Sequence, residues 1–294
     1  MVFAVAGYGA DGIAPPTVSA ASADWMASLP GEKRISELSI PGTHDAGALY
    51  EPWGGTTRCQ SRTIPEQLAD GVRFLDIRCR DVHGKFQIYH GSVDQKLSFE
   101  LVLTYCFEFL KGHPKEFIIM SVKEEGSAVG DTQPFEKLFD AYVADNRDRW
   151  LLSDSFPSVE EARGHVVLFR RFSAAALPKG IAADPRDWKD STNFWIHGTI
   201  RVQDEYVVTK GNEAAKWSSI QRLYQEMAEA EAKVLFVNFS SGYEPRVLPN
   251  IPAVSDYINP RLADYFKSAA SRRHGITVMD FETAERCALI FHTN

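Results

Sequence analysis

Long apolar runs are missing from this chain of 294 residues. None approaches the ~18 residues that a membrane-crossing helix needs, so no helical span is expected. Cysteine is sparse and scattered: Cys59, Cys79, Cys106 and Cys287 form no C-x-x-C pair. That spacing fits neither a zinc site nor a dense disulfide scaffold; free, largely buried thiols are expected, with one disulfide left open. A basic excess is missing too. The formal net charge is −7, which argues against a nucleic-acid partner, whose phosphates call for the opposite sign. It also argues against strong attraction to anionic lipid, unless a local basic patch stands out against the total. The histidines show no H-x-H or H-E-x-x-H spacing, so no metal and no cofactor are expected.

Repeats, low-complexity tracts and interdomain linkers are absent as well, and a single domain is expected. At the N-terminus, the apolar stretch from Val2 to Val5 is too short for a signal peptide and has no basic flank. Gly7 to Ser22 is rich in Gly, Ala, Pro and Ser. Residues 1–24 are therefore read as a flexible leader and 25–294 as the catalytic domain. Such a leader suits the start of a mature exported chain, so a secreted protein is the expectation, although no signal peptide is present to prove export.

What the chain does have is an ordinary globular composition, 44% apolar and 24% charged. Short apolar or β-branched segments alternate with helical patterns, the signature of βα units around a parallel sheet. Strands are expected over 35–40, 74–78, 86–89, 117–122, 166–171, 202–207, 234–239 and 276–281. Helices are expected over 64–70, 99–110, 134–145, 213–232 and 260–271. This pattern predicts a single-domain (β/α)8 barrel of the TIM type. The link between the second and third strands is too short for a helix, so the barrel should be irregular there.

Reactive residues gather where these strands end. His44 and Asp45 follow the first, Asp76 and Arg78 close the second, and His90 follows the third. Lys123 ends the fourth, Arg171 the fifth, Asp204 and Tyr206 lie in the sixth, and Asp280 sits near the end of the eighth. In a barrel those ends meet at one face. Strand alternation places Asp76 and Arg78 on one side and Leu75, Ile77 and Cys79 on the other. Ionisable groups facing an apolar barrel are costly unless they serve each other or a ligand.

Each residue has a blander reading when taken alone. A single histidine in a turn is usually structural or solvated. Asp76 and Arg78 could be a plain ion pair, Lys123 and Arg171 could be snorkelling cations, and Asp204 and Tyr206 could make loop hydrogen bonds. Trp53, followed by Gly54 and Gly55, could be a turn anchor or an anchor at a bilayer interface. The combination favours chemistry. Two histidines with carboxylates provide a base and an acid, here His44 and His90, although sequence alone could exchange them. Asp280 and Asp45 would fix their tautomers. Arg78 offers a fixed cation to phosphate oxygens, and the remaining polar groups suit a polyhydroxylated ring. A metal-independent phosphodiester-cleaving enzyme is the leading expectation.

The segments SIPGTHDAG (39–47), FLDIRCR (74–80), YHG (89–91), IIMSVKEE (118–125), EARGHVVLFRRF (161–172), VQDEY (202–206), FVNFSSG (236–242), DYINPRLADYF (256–266) and VMDFE (278–282) resemble the bacterial phosphatidylinositol-specific phospholipase C family. The resemblance implies a distorted TIM barrel that cleaves phosphatidylinositol, and usually its glycosylated anchors, to diacylglycerol and inositol 1,2-cyclic phosphate. It implies that His44 with Asp280 is the base on the inositol 2-hydroxyl, and that His90 with Asp45 is the acid. Arg78, held by Asp76, would stabilise the phosphorane-like charge, while Lys123, Arg171, Asp204 and Tyr206 would contact inositol. Calcium-dependent relatives place metal ligands where this chain has Arg78, which points to the metal-independent branch. The expected partner is a phosphatidylinositol-containing membrane surface, met transiently by a monomer. The loop before DYINP (242–255) lacks the tryptophan seen at this rim in close relatives, so Trp53 is the remaining rim candidate. A glycerophosphodiesterase-like barrel would need an H-R-G-type metal motif after the first strand, which is absent. An inert inositol-lipid module would be expected to have lost a histidine, and both are present.

Overall fold

A computed structural model describes residues 20–294 of the chain. Most of the 1–24 leader lies outside the described residues. Its last residues are held: the Ala23 carbonyl accepts from Arg73 Nη2 at 2.7 Å, and Asp24 pairs with His113 at 2.8 Å.

The strands in chain order are β1 (Ser39–Thr43), β2 (Phe74–Val82), β3 (Lys85–His90), β4 (Val93–Ser98), β5 (Ile118–Glu124), β6 (Trp150–Leu151), β7 (Val166–Arg171), β8 (Ile181–Ala182), β9 (Thr192–Ile196), β10 (Ile200–Asp204), β11 (Leu235–Phe239) and β12 (Gly275–Met279). They form one curled sheet in the order β6-β7-β5-β2-β1-β12-β11-β10-β9, with β3 attached to β2, β4 to β3 and β8 to β7. From β7 round to β10 every pairing is parallel. Among the described residues no ladder joins β9 back to β6. The fold is thus the irregular, distorted α/β barrel that the sequence pattern implied. Its central strands are buried on both faces, as covering helices require: Ile118 to Val122 of β5 are all buried.

The irregularity has a local cause. β2 runs on to Val82, well past Arg78, and turns back through His83 (φ 52°) and Gly84 (φ 74°). Two positive-φ residues make the tight turn whose twist suits a hairpin. The third expected strand is therefore not a parallel barrel strand but the antiparallel return, with Cys79 opposite Ile88. By returning, β3 delivers His90 to the level of Ile77 and Arg78 in β2.

Other boundaries shift for equally local reasons. The first expected strand begins as a 3-10 turn, Ile35–Glu37, because Glu37 caps the Arg34 backbone amide at 2.9 Å. The sixth strand starts at Ile200, after a turn through His197 (φ 49°) and Gly198 (φ 71°), and ends at Asp204, leaving Tyr206 in the following loop. His197 lies in that turn, paired with Asp187 at 3.3 Å. Lys123 lies within β5 rather than at its end, and β12 stops at Met279, one residue before Asp280. The helix expected over 260–271 spans Ile251–Ser268, capped by Asn250. Pro260, the first residue of the expected range, sits inside the helix. All four cysteines are free and buried.

Candidate active site

β1 ends in the turn that carries His44 and Asp45, and the last ladder contact is the His44 amide to the Met279 carbonyl at 2.9 Å. That bond brings the end of β1 to the end of β12 and sets His44 beside Asp280. His44 Nδ1 lies 2.8 Å from Asp280 Oδ1, while Arg78 Nη2 lies 2.7 Å from His44 Nε2. A guanidinium only donates. Nε2 therefore accepts from Arg78, and the His44 proton sits on Nδ1 facing Asp280, the tautomer that a general base acting through Nε2 would need. Burial pulls the His44 pKa down, but Asp280 more than offsets this, and the net shift is upward despite the opposing Arg78 charge.

Arg78 uses its other nitrogens on two carboxylates. Nε donates to Asp76 Oδ2 at 3.1 Å, and Nη1 lies 3.0 Å from Asp45 Oδ2. Asp76 also accepts from Arg171 Nη1 at 3.1 Å and Ser121 Oγ at 3.2 Å. Although burial alone would raise its pKa, Arg78 and Arg171 hold Asp76 well below the usual carboxylate range. Burial pushes Asp45 the other way, with Arg78 and His90 opposing. Asp45 adopts φ 43°, unusual for a side chain with a Cβ, and this turns its fully buried carboxylate under both histidines. Its Oδ2 is 3.7 Å from His90 Nε2 and 3.9 Å from His44 Nε2. The ion pair with Arg78 is closer than either.

His90 faces His44 across the cleft, with ring centroids 6.4 Å apart. Its Nδ1 is 2.7 Å from the Thr57 carbonyl, which fixes a proton on that nitrogen and leaves Nε2 toward Asp45. His44, Arg78, His90, Lys123, Arg171, Asp204 and Tyr206 all line one cleft of about 500 Å³. Asp45, Asp76 and Asp280 lie behind them, nearly or fully buried.

The far wall contains groups that sequence reasoning missed. Trp188 stacks under Arg171, with the guanidinium carbon 3.7 Å from the ring centroid, and donates from Nε1 to Asp204 Oδ2 at 3.0 Å. Nothing in its loop sequence marks it. Tyr243 lies beside Tyr206, ring centroids 5.9 Å apart, while the Tyr206 hydroxyl donates to Asp190. Glu125 pairs with Lys123 and accepts from the Gly91 amide at 3.0 Å, steadying the segment next to His90. Alternation from Lys123 could have found it.

Trp53 is outside the cleft lining, 59% exposed on a loop wound around Glu51. The Glu51 carboxylate accepts from the Trp53, Thr57 and Arg58 amides and from Thr56 Oγ1, at 2.9 to 3.1 Å. The adjoining loop meets this one through the Ile251 amide and the Gly55 carbonyl, and carries the exposed Val247 and Leu248.

Among the described residues one group offers clustered metal-ligand atoms, His44, Asp45 and Cys59, within 4.8 Å of one another. Arg78 is already bonded to His44 and paired with Asp45 there, so the positive charge at this point is the protein's own.

An irregular α/β barrel with two imidazoles flanking one guanidinium is an arrangement suited to acid–base chemistry on an anion. The family model for the phosphatidylinositol-specific phospholipase C X domain matches residues 40–172. The 1-phosphatidylinositol phosphodiesterase of Staphylococcus aureus (strain Newman) is 28% identical, with 91% of each chain covered. That of Listeria monocytogenes is 29% identical over 94% of this chain and 86% of its own. A solved phosphatidylinositol-specific phospholipase C from S. aureus superposes with a TM-score of 0.81 at 25% identity, covering 94% of this chain and 99% of that one. The Listeria structure shares the fold, with a TM-score of 0.73 at 22% identity, covering 93% of this chain and 98% of that one. The chain thus resembles the bacterial 1-phosphatidylinositol phosphodiesterases over most of its length, and residues 40–172 match the phospholipase C X domain.

Proposed function

We propose that this enzyme cleaves phosphatidylinositol at a membrane surface to diacylglycerol and inositol 1,2-cyclic phosphate. The observation that carries the reading is the linked set Asp280–His44–Arg78, with His90 opposite. His44 Nε2 removes the proton from the inositol hydroxyl next to the phosphate, and that oxygen forms a bond to phosphorus. The bond from phosphorus to the glycerol oxygen breaks, and His90, entering the step as the imidazolium with Asp45 facing Nε2, gives its Nε2 proton to the leaving alkoxide. Arg78 moves its hydrogen bonds toward the non-bridging oxygens as charge develops on them. A neighbouring hydroxyl outcompetes water through its high effective concentration, so the cyclic diester forms first.

Lys123, Arg171, Asp204 and Tyr206 hold the inositol ring in this reading, with Trp188 buttressing two of them. Trp53, Val247 and Leu248 form the apolar rim that meets the bilayer, and the protein acts as a secreted monomer. No helix among the described residues is long and apolar enough to cross a membrane. Phosphorus NMR of the reaction on phosphatidylinositol vesicles in EDTA tests substrate, product and metal independence together. The cyclic diester is expected before any acyclic phosphate. Acyclic product first, or activity abolished by EDTA and restored by calcium, overturns the mechanism.

A further inference from the structure

β1 and β12 pair in register up to Thr43 opposite Met279, and the functional pair His44 and Asp280 lies just beyond that ladder. Something else must hold the two chain ends together there. Gln60 is fully buried, at 0% exposure, and its side chain reaches both. Its Nε2 donates to the His44 carbonyl at 2.7 Å and to the Met279 carbonyl at 2.8 Å. Its Oε1 accepts from the Glu282 amide at 3.2 Å, while the neighbouring Cys59 carbonyl accepts from the Phe281 amide at 2.7 Å. One amide thus grips the base-bearing residue directly and brackets Asp280 on both sides.

The bracket is needed because Phe281, between Asp280 and Glu282, adopts φ 47°. A Cβ-bearing residue stays in that region only when its surroundings over-determine it. Asp280 itself is anchored by the Asn259 side chain at its carbonyl, 3.0 Å, and by the Gly242 amide at Oδ2, 3.2 Å. Those contacts fix Asp280 relative to the helix Ile251–Ser268 and to the loop after β11. Of the side chains bonded to this segment, Gln60 also holds the His44 backbone.

We propose that Gln60 is a positioning residue for the reaction: it continues the β1–β12 ladder beyond its last backbone bond and sets the His44–Asp280 hydrogen bond. This rests on the reading of His44 as the base. A carboxylate at this position would face two carbonyl oxygens with no proton to offer, and an apolar chain would take the Gln60 donor from the His44 carbonyl and leave the Met279 carbonyl with the His44 amide alone.

The test uses Gln60→Met, similar in shape without the amide, and Gln60→Asn, which keeps the amide but withdraws it by one methylene. Kinetics on a soluble short-chain phosphatidylinositol should show kcat reduced roughly 10- to 100-fold, with KM changed less than about threefold, since a small misplacement near the reacting groups costs that much. His44 titration followed by NMR should move to lower pH, because Asp280, less well placed, no longer supports the imidazolium fully. In an Asp280→Asn background the same Gln60 changes should cost less than about threefold, as partners in one geometry are non-additive. An equal loss in both backgrounds, or a lowered Tm with kcat and the His44 titration unchanged, overturns the proposal. The titration needs no turnover. If the wild type fails on phosphatidylinositol while the titration still shifts, the substrate reading falls and the positioning role stands.

Discussion

Replacing Arg78 by lysine removes more than it preserves. Arg78 presents three nitrogens to three partners, Asp76 at 3.1 Å, Asp45 at 3.0 Å and His44 at 2.7 Å. An ammonium on a flexible stem keeps the charge and can satisfy one of these geometries. In the transition state at least one donor aimed at a non-bridging oxygen is lost. Removing one such donor costs about 2.7–4 kcal/mol, or on the order of 10² to 10³ in kcat. Breaking a buried ion pair outright costs about 3–5 kcal/mol of stability. Here the charge is retained and Arg171 still holds Asp76, so the stability loss should fall below that range.

The assay is turnover of a soluble short-chain substrate in EDTA, with a thermal melt to confirm folding. The fall should lie in kcat, with a smaller change in KM. A second measurement fixes the sign of the electrostatics. The charge of Arg78 holds the His44 pKa down, and the acid limb of kcat/KM reports the free base. An uncharged Arg78→Met enzyme should show that limb displaced to higher pH. An Arg78→Lys enzyme within tenfold of wild type, or an Arg78→Met limb that stays in place, refutes the role assigned to this residue.

His44→Ala and His90→Ala should each reduce kcat by on the order of 10³-fold with the fold intact, and the double variant should lose little more, because both serve one step. Either single variant retaining above about a tenth of wild-type turnover removes that histidine from proton transfer. Trp53→Ala should weaken binding to phosphatidylinositol vesicles while sparing a soluble substrate; a parallel fall in both would make Trp53 a packing residue. Glu282, buried beside Asp70, has its pKa pushed up from 4.5 to about 8, first by burial and then by the Asp70 charge. The folded state therefore favours its neutral form, and that preference costs stability as pH rises from 4.5 through about 8. Glu282→Gln should match wild type in thermal melts near pH 5 and exceed it above pH 8; a pH-independent difference would show that Glu282 is ionised in the fold.

The parts legible in the sequence were those governed by periodicity and by covalent neighbourhood. Alternation along β2 placed Asp76 and Arg78 on one face, and from it Arg78 lines the cleft with Asp76 bonded behind it. His44 and Asp280 could be brought together because each follows a strand and parallel barrel strands end at one rim. What stayed hidden was set by turns and by side chains acting across the fold. His90 arrives at the site through a hairpin, a path that strand counting cannot distinguish from a parallel strand. Asp45 read as the partner of His90, yet its nearest charged neighbour is Arg78, because a left-handed residue swings the carboxylate beneath both imidazoles. Trp188 and Gln60 left no pattern at all: one is held by Asp204 in a loop, the other by backbone groups distant in the chain. The residues proposed for proton transfer could therefore be picked out from residue type and position. The contacts that fix their tautomers and separations depend on loop geometry, and loops carry no period from which to read it.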